Sequence, residues 1–166
     1  MISQAVQDAL NKQINIELIS SYTYLAMSAY CEKQNFIGSA QWLRTQSNEE
    51  QTHALKLLDF LLARDCQVVL QEIPKPRAEF ESIAHVFRQA LENEISVSKS
   101  IDALYELAHH EKAFAALVEL QWFITEQVQE EKTAREIVTK FSMVENDPSA
   151  LLDLDRELGQ RKTNEE

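Results

Sequence analysis

A chain of 166 residues with 45% hydrophobic content can bury one substantial core without a metal or disulfide to reach folding size. Two glycines and three prolines leave few turns, and with no long alternating pattern the composition favours long helices over a turn-rich all-β fold. A formal net charge of −11 argues against unaided binding of nucleic acid, whose affinity rests on Lys and Arg at phosphates, and leaves cations as the favoured small partners.

In chain order, the first helix is predicted to start after Ser3 as N-cap and to run to about Lys33. Asn35 and Gly38 mark a tight turn into a second helix from about Phe36 to Arg64, which makes the first two antiparallel neighbours. The segment from Asp65 to Ala78 holds Pro74 and Pro76 and cannot continue a helix. Extended, it spans roughly 46 Å, the length of a 30-residue helix at about 45 Å. That is enough to return along the bundle and start the third helix parallel to the second. The third helix is predicted over about Glu79 to His109 and the fourth over about Lys112 to Ser142. Asp147 then caps a short fifth helix with Pro148 at its first position. The expected fold is all-α: one domain over residues 1–166, a four-helix bundle with one long crossover between helices two and three, plus a short C-terminal fifth helix.

The apolar seams of these helices are interrupted. In the third, the sevenfold series Phe80, Phe87, Glu94, Ile101, Ala108 has one polar member, so Glu94 sits where a core residue belongs. In the second, Glu50 lies between Leu43 and Leu57, while His53 lies between Gln46 and Phe60, which stacks Glu50 and His53 inward at i, i+3. In the fourth, Gln127 and Glu130 repeat that spacing. In the first, Glu17 falls between Leu10 and Tyr24, on a face blurred by Ser21 and Ser28. The predicted midpoints lie near residues 18, 50, 94 and 127, so the polar positions meet at one level.

A single seam glutamate is commonly salt-bridged or half exposed, and an ExxH run alone arises by chance. Four carboxylates sharing one core are different: burying each unpaired is costly, and a bound cation is the economical explanation. Carboxylates with one imidazole and no thiolate suit Fe(II), Mn(II) or Zn(II) rather than Cu(I). Two ions are expected if Glu50 bridges, with Glu17, Glu50 and His53 on one and Glu50, Glu94 and Glu130, with Gln127 nearby, on the other. Gln127 has the alternative of a core amide satisfied by hydrogen bonds. Tyr24, on the same seam as Glu17, reads either as a packed aromatic or as an electron donor beside the metals. Trp122 has the same pair of readings, with packing favoured. Glu49 and Glu126, beside the seam, are candidates for a weaker third site, although solvated surface carboxylates are the commoner case. His109 and His110, next to a turn, suit a helix end. Cys31 and Cys66 form no CxxC pair and read as packing residues in a reducing compartment. With no basic-apolar leader and no stretch of membrane-spanning length, the expected location is the cytoplasm.

These residues carry a resemblance. From about residue 5 to 145 the chain resembles the bacterial non-haem ferritins, through Glu17, Tyr24, the run Asn48-Glu49-Glu50-Gln51-Thr52-His53, Glu94, and the run from Trp122 to Glu131. The resemblance implies a ferritin-like shell of 24 subunits. Such a shell takes up Fe(II), oxidises it with O2 or H2O2 at an intrasubunit di-iron centre, and stores hydrated ferric oxide. It also implies two irons per subunit with a weak third, and no nucleic-acid or membrane partner. Bacterioferritins carry a haem-binding Met between the Glu and His of the second helix, where this chain has Gln51 and Thr52, so no haem is expected. Third iron sites of the family commonly have an acid where Gln129 stands. The rival readings are a rubrerythrin-like di-iron oxidase or peroxidase, which often carries a cysteine module this chain lacks, and a metal-free helical interaction protein.

Overall fold

The computed structural model describes residues 2–161. Among them are five helices and no strand: α1 (Gln4–Lys33), α2 (Ile37–Ala63), α3 (Ile83–His110), α4 (Phe114–Val144) and α5 (Pro148–Leu158). Ser3 caps α1 by accepting from the Val6 N–H, and Asp147 caps α5 by accepting from the Ser149 and Ala150 N–H groups.

α3 starts four residues later than its periodicity suggested. Ser82, in extended conformation, accepts from the His85 N–H and fixes the start there. Phe80, counted into the seam of α3 by spacing, lies outside the helix and packs edge-on against Tyr30 with ring centroids 5.1 Å apart. α4 likewise begins at Phe114 rather than Lys112, because Lys112 takes a left-handed conformation (φ 55°) as α3 ends. Asn35 (φ 65°) and Asp65 (φ 54°) close α1 and α2 in the same way.

The crossover is pinned at both ends to α1. Near its start, the buried Asn11 side chain donates to the Gln67 carbonyl and accepts from the Val69 N–H, at 3.0 and 2.7 Å. Near its end, the Tyr30 hydroxyl donates to the Phe80 carbonyl at 2.8 Å. The chain therefore travels the length of α1 before α3 begins, so α3 starts at the end of the bundle where α2 starts. This is the single-crossover topology of a four-helix bundle, to which the short fifth helix is added.

α1 and α2 approach closely through small residues. Ser28 donates to the Ala40 carbonyl, Ser21 to the Ser47 carbonyl and Ser47 to the Ser21 carbonyl, all at 2.7 or 2.8 Å. The hydroxyls that blurred the apolar face of α1 thus hold it against its partner.

Two apolar clusters fill the bundle. One gathers Tyr24, Met27, Trp42, Leu43, Phe87, Phe141 and Leu154. The other gathers Val6, Leu10, Leu57, Leu61, Ile101, Leu104, Leu120 and Phe123. The residues between them, in the middle of all four long helices, are polar.

α5 closes the first end. The N-cap of α2, Phe36, has no capping side chain. Asp155 of α5 does that work, accepting from the Gly38 N–H, the Ser39 N–H and the Ser39 hydroxyl at 3.0, 2.7 and 2.7 Å. Gly38 is inside α2 and does not supply a turn conformation. Instead it admits α5: a Cβ there would lie 1.8 Å from the Asp155 carbonyl oxygen, and one on Gly159 would lie 3.0 Å from the Gly38 Cα. The chain's two glycines are spent on one contact.

Asp155→Ala strips a buried helix start of its acceptor and should cost about 2 kcal/mol. Gly38→Ala should displace α5 outright through overpacking. Limited trypsin digestion reads both: cleavage after Arg156, slow in the parent, should accelerate in each variant, more so in Gly38→Ala.

Candidate metal centre

The polar layer is built by one register on each helix. Glu17 of α1, Glu50 and His53 of α2, Glu94 of α3 and Gln127 and Glu130 of α4 are all buried, with Glu50 wholly so. Glu17, Glu50 and His53 form a compact triad whose ligand atoms lie within 4.8 Å of one another. Glu94 and Glu130 lie close enough to act on Glu50, and each is held by protein donors.

Those donors are neutral. The Gln13 amide donates to Glu17 Oε1 at 2.8 Å. The Gln46 amide nitrogen donates to both Glu50 Oε1 and Glu130 Oε2, each at 2.9 Å. Tyr24 donates from its hydroxyl to Glu94 Oε1. The Gln127 amide donates to Glu94 Oε2 at 3.2 Å, and to the Glu94 carbonyl and Ser98 hydroxyl. Gln127 therefore acts here as a hydrogen-bonded amide on α3. Two carboxylate oxygens, Glu17 Oε2 and Glu50 Oε2, are buried and accept no hydrogen bond. They belong to the triad, and Glu50 Oε2 lies 3.4 Å from His53 Nδ1. Oxygens of this kind, unsatisfied in the interior, suit a hard or borderline cation.

Burial dominates the electrostatics. It raises Glu17 and Glu50 well above the usual carboxylate range, and neighbouring carboxylates add to it: Glu50 acts on Glu17, and Glu94 and Glu130 act on Glu50. Burial also raises Glu94, against the hydrogen bonds from Tyr24 and Gln127. Glu130 is pushed up to about 7, by burial first and then by Glu94 and Glu49. The Tyr24 hydroxyl is raised for the same reasons, burial and then Glu94. Away from the layer, burial pushes the Cys31 thiol up to about 12, in keeping with a packing role.

Around this layer the remaining candidates fall differently. Trp122 is exposed on one side, while its other edge meets the His53 ring at 5.3 Å and Lys56 lies over it at 5.0 Å. Glu49 and Glu126 are half-buried, and Gln129 is exposed. Glu49 is already paired, its Oε2 lying 2.5 Å from Arg161 Nη2. Sequence reasoning assigned no part to Gln13, Gln46 or Arg161. A signal for the first two was present: Gln13 and Glu17, and Gln46 and Glu50, are both i, i+4 pairs of an amide and a seam acid.

Four long helices with one crossover, each sending a carboxylate into a shared interior layer, define the class of carboxylate-lined bundles. The Ferritin family profile, for the ferritin-like domain, matches residues 7–144. Over its full 166 residues the chain is 34% identical to the bacterial non-heme ferritin of Staphylococcus epidermidis strain RP62A and 32% identical to that of Staphylococcus aureus strain USA300, in both cases over all of either chain. Among solved structures it superposes on an open pore ferritin from the hyperthermophilic archaeon Archaeoglobus fulgidus with a TM-score of 0.96 and 41% identity, covering 98% of this chain and 100% of that one. The chain belongs to the ferritin family.

A carboxyl that holds its proton more tightly in the folded chain favours folding at low pH and loses that advantage as pH rises through its folded value. For Glu130 this window runs from 4.5 to about 7, and Glu17 and Glu50, also raised well above 4.5, act in the same direction. The metal-free protein should therefore melt at a falling temperature as pH is raised from about 5 to about 8. A redox-inert divalent ion such as Zn2+ should reverse the slope, because it favours the ionised carboxylates. Scanning calorimetry with and without Zn2+ checks both signs.

Proposed function

We propose that this chain is an iron-storage ferroxidase, with Glu17, Glu50 and His53 receiving one ferrous ion and Glu50, Glu94 and Glu130 a second. The observation that carries the reading is the pair of buried, unsatisfied oxygens on Glu17 and Glu50, set in a triad that also holds an imidazole. Family membership supports iron as the ion. Ferritin neighbours support a multimeric shell, for which we infer 24 subunits, a single domain over residues 1–166 and a cytoplasmic setting. Among the described residues no helix is long and apolar enough to cross a membrane.

The chemistry follows from the layer's charge. The raised carboxyls hold their protons more tightly than free carboxyls do, and Fe(II) binding releases whatever protons they retain. Anionic oxygen ligands favour Fe(III) over Fe(II), so each of two neighbouring ions gives up one electron readily, and O2 accepts the two. Glu50, the one carboxylate adjacent to both sets, keeps the two ions close enough to act on one O2. Tyr24 orients Glu94 through its hydroxyl and is an oxidisable side chain in direct contact with the layer. The ferric products hydrolyse, release protons and pass to the interior of the shell, where the acidic balance favours their retention. Glu126 remains a candidate for a weak third ion on that route, whereas Glu49 is held by Arg161.

Anaerobic Fe(II) titration followed by O2, with the assembly sized by ultracentrifugation, tests the whole reading. A protein binding no stoichiometric Fe(II) would overturn it in favour of a metal-free interaction bundle.

Glu50→Ala should slow the fast phase of oxidation more than Glu17→Ala or Glu94→Ala, by about a hundredfold against about tenfold. The metal-free melting temperature should not fall, since repulsion in the layer is relieved. Stopped-flow absorbance compares the three. Tyr24→Phe keeps the buried ring and should leave Fe(II) stoichiometry unchanged while slowing oxidation about tenfold. First-turnover traces matching the parent would end any part for the phenol.

A further inference from the structure

Arg161 lies just beyond α5, yet it reaches the polar layer. Its guanidinium stacks over the Trp42 ring at 4.5 Å. Nη1 donates to Gln46 Oε1 at 2.9 Å, and Nη2 donates to Glu49 Oε2 at 2.5 Å. Gln46 is wholly buried and passes the contact inward, its amide nitrogen donating to Glu50 and Glu130 at once.

Only one orientation of the Gln46 amide satisfies these partners. Reversed, its nitrogen would face a guanidinium that has no acceptor to offer, and its oxygen would lie 2.9 Å from Glu50 and Glu130 oxygens and be repelled wherever they are ionised. Arg161, with donors and no acceptor, is what makes the outward side of Gln46 an acceptor's place. The fork also consumes Glu49, the acid close enough to Glu130 to raise it. An exposed ion pair would carry little weight, but this guanidinium is packed on an indole and bonded to a fully buried amide.

We propose that Arg161 is a positioning residue for iron: through Gln46 it presets the Glu50 and Glu130 carboxylates for the second ferrous ion, and by pairing with Glu49 it denies that acid to a third. The inference rests on the iron-storage reading. It makes the C-terminal end of the chain a determinant of how many ions the bundle holds, because the guanidinium occupies as a fixed cation the place Glu49 offers to a mobile one.

Anaerobic isothermal titration with Fe(II) on assembled parent, Arg161→Ala and Gln46→Leu separates the two effects. In Arg161→Ala the second equivalent should weaken about tenfold, the usual scale for loss of an outer hydrogen-bond partner, and an additional weak equivalent should appear as Glu49 is freed. In Gln46→Leu the second equivalent should weaken to the same degree with no additional one, because Arg161 still holds Glu49. A role confined to docking α5 would lower the melting temperature without changing either the number or the affinity of equivalents. The proposal is overturned if Arg161→Ala titrates like the parent, or if it weakens the second equivalent while Gln46→Leu does not. Should Arg161→Ala fail to assemble, Gln46→Leu decides the positioning step alone. A parent that binds no Fe(II) would remove the iron-storage reading itself, which distinguishes that failure from this one.

Discussion

Four carboxylates are buried at one level of the bundle, and among the described residues none of them is paired with a lysine or arginine. This is the constraint on which the rest of the structure depends. An interior carboxylate can be made tolerable by a cationic side chain, by a proton, or by a metal. Had Arg or Lys been supplied, the layer would be neutral by itself and closed to cations. Instead Gln13, Gln46, Gln127 and Tyr24 meet the acids with neutral donors. They hold the oxygens in position while leaving the negative charge to be balanced from outside. His53, beside Glu50, is the one imidazole in the layer.

Such a layer interrupts the hydrophobic core, and the fold answers by carrying a complete apolar cluster on either side of it. The two clusters take up the burial that the middle cannot provide, at about 25 cal/mol for each Å² of apolar surface removed from water. They also fix the axial register of the helices, and with it the level at which the acids meet. The serines between α1 and α2 bring those helices close enough for Glu17 to join Glu50 and His53. The crossover, tied to α1 by Asn11 and Tyr30, sets the direction of α3 and so the depth of Glu94.

α5 links this interior to the end of the chain. Its Asp155 completes the start of α2, the helix that carries Gln46, Glu49, Glu50 and His53. A few residues on, Arg161 touches Gln46 and Glu49 themselves. The short helix therefore anchors the helix that carries Gln46, Glu49, Glu50 and His53, and the chain just beyond it reaches Gln46 and Glu49.

Much of this was legible in the sequence because helical periodicity is local: residues three, four and seven apart share a face whatever the helix later packs against. That is why the core positions of Glu17, Glu50, His53, Glu94, Gln127 and Glu130 could be read, along with the caps Ser3 and Asp147 and the long return imposed by Pro74 and Pro76. Start signals that depend on a neighbour were read less well. Phe80 has the spacing of a helical seam residue, but the Tyr30 ring and the Ser82 cap place it outside α3. Gly38 looked like a turn glycine, and its reason is the α5 backbone more than a hundred residues away. Composition and pattern thus determined the helices, their inward faces and the level of the acids. Only tertiary structure decided which acids form the triad, which amide faces which carboxylate and which arginine reaches Glu49, because those outcomes turn on distances between helices that no residue carries in its own stretch of chain.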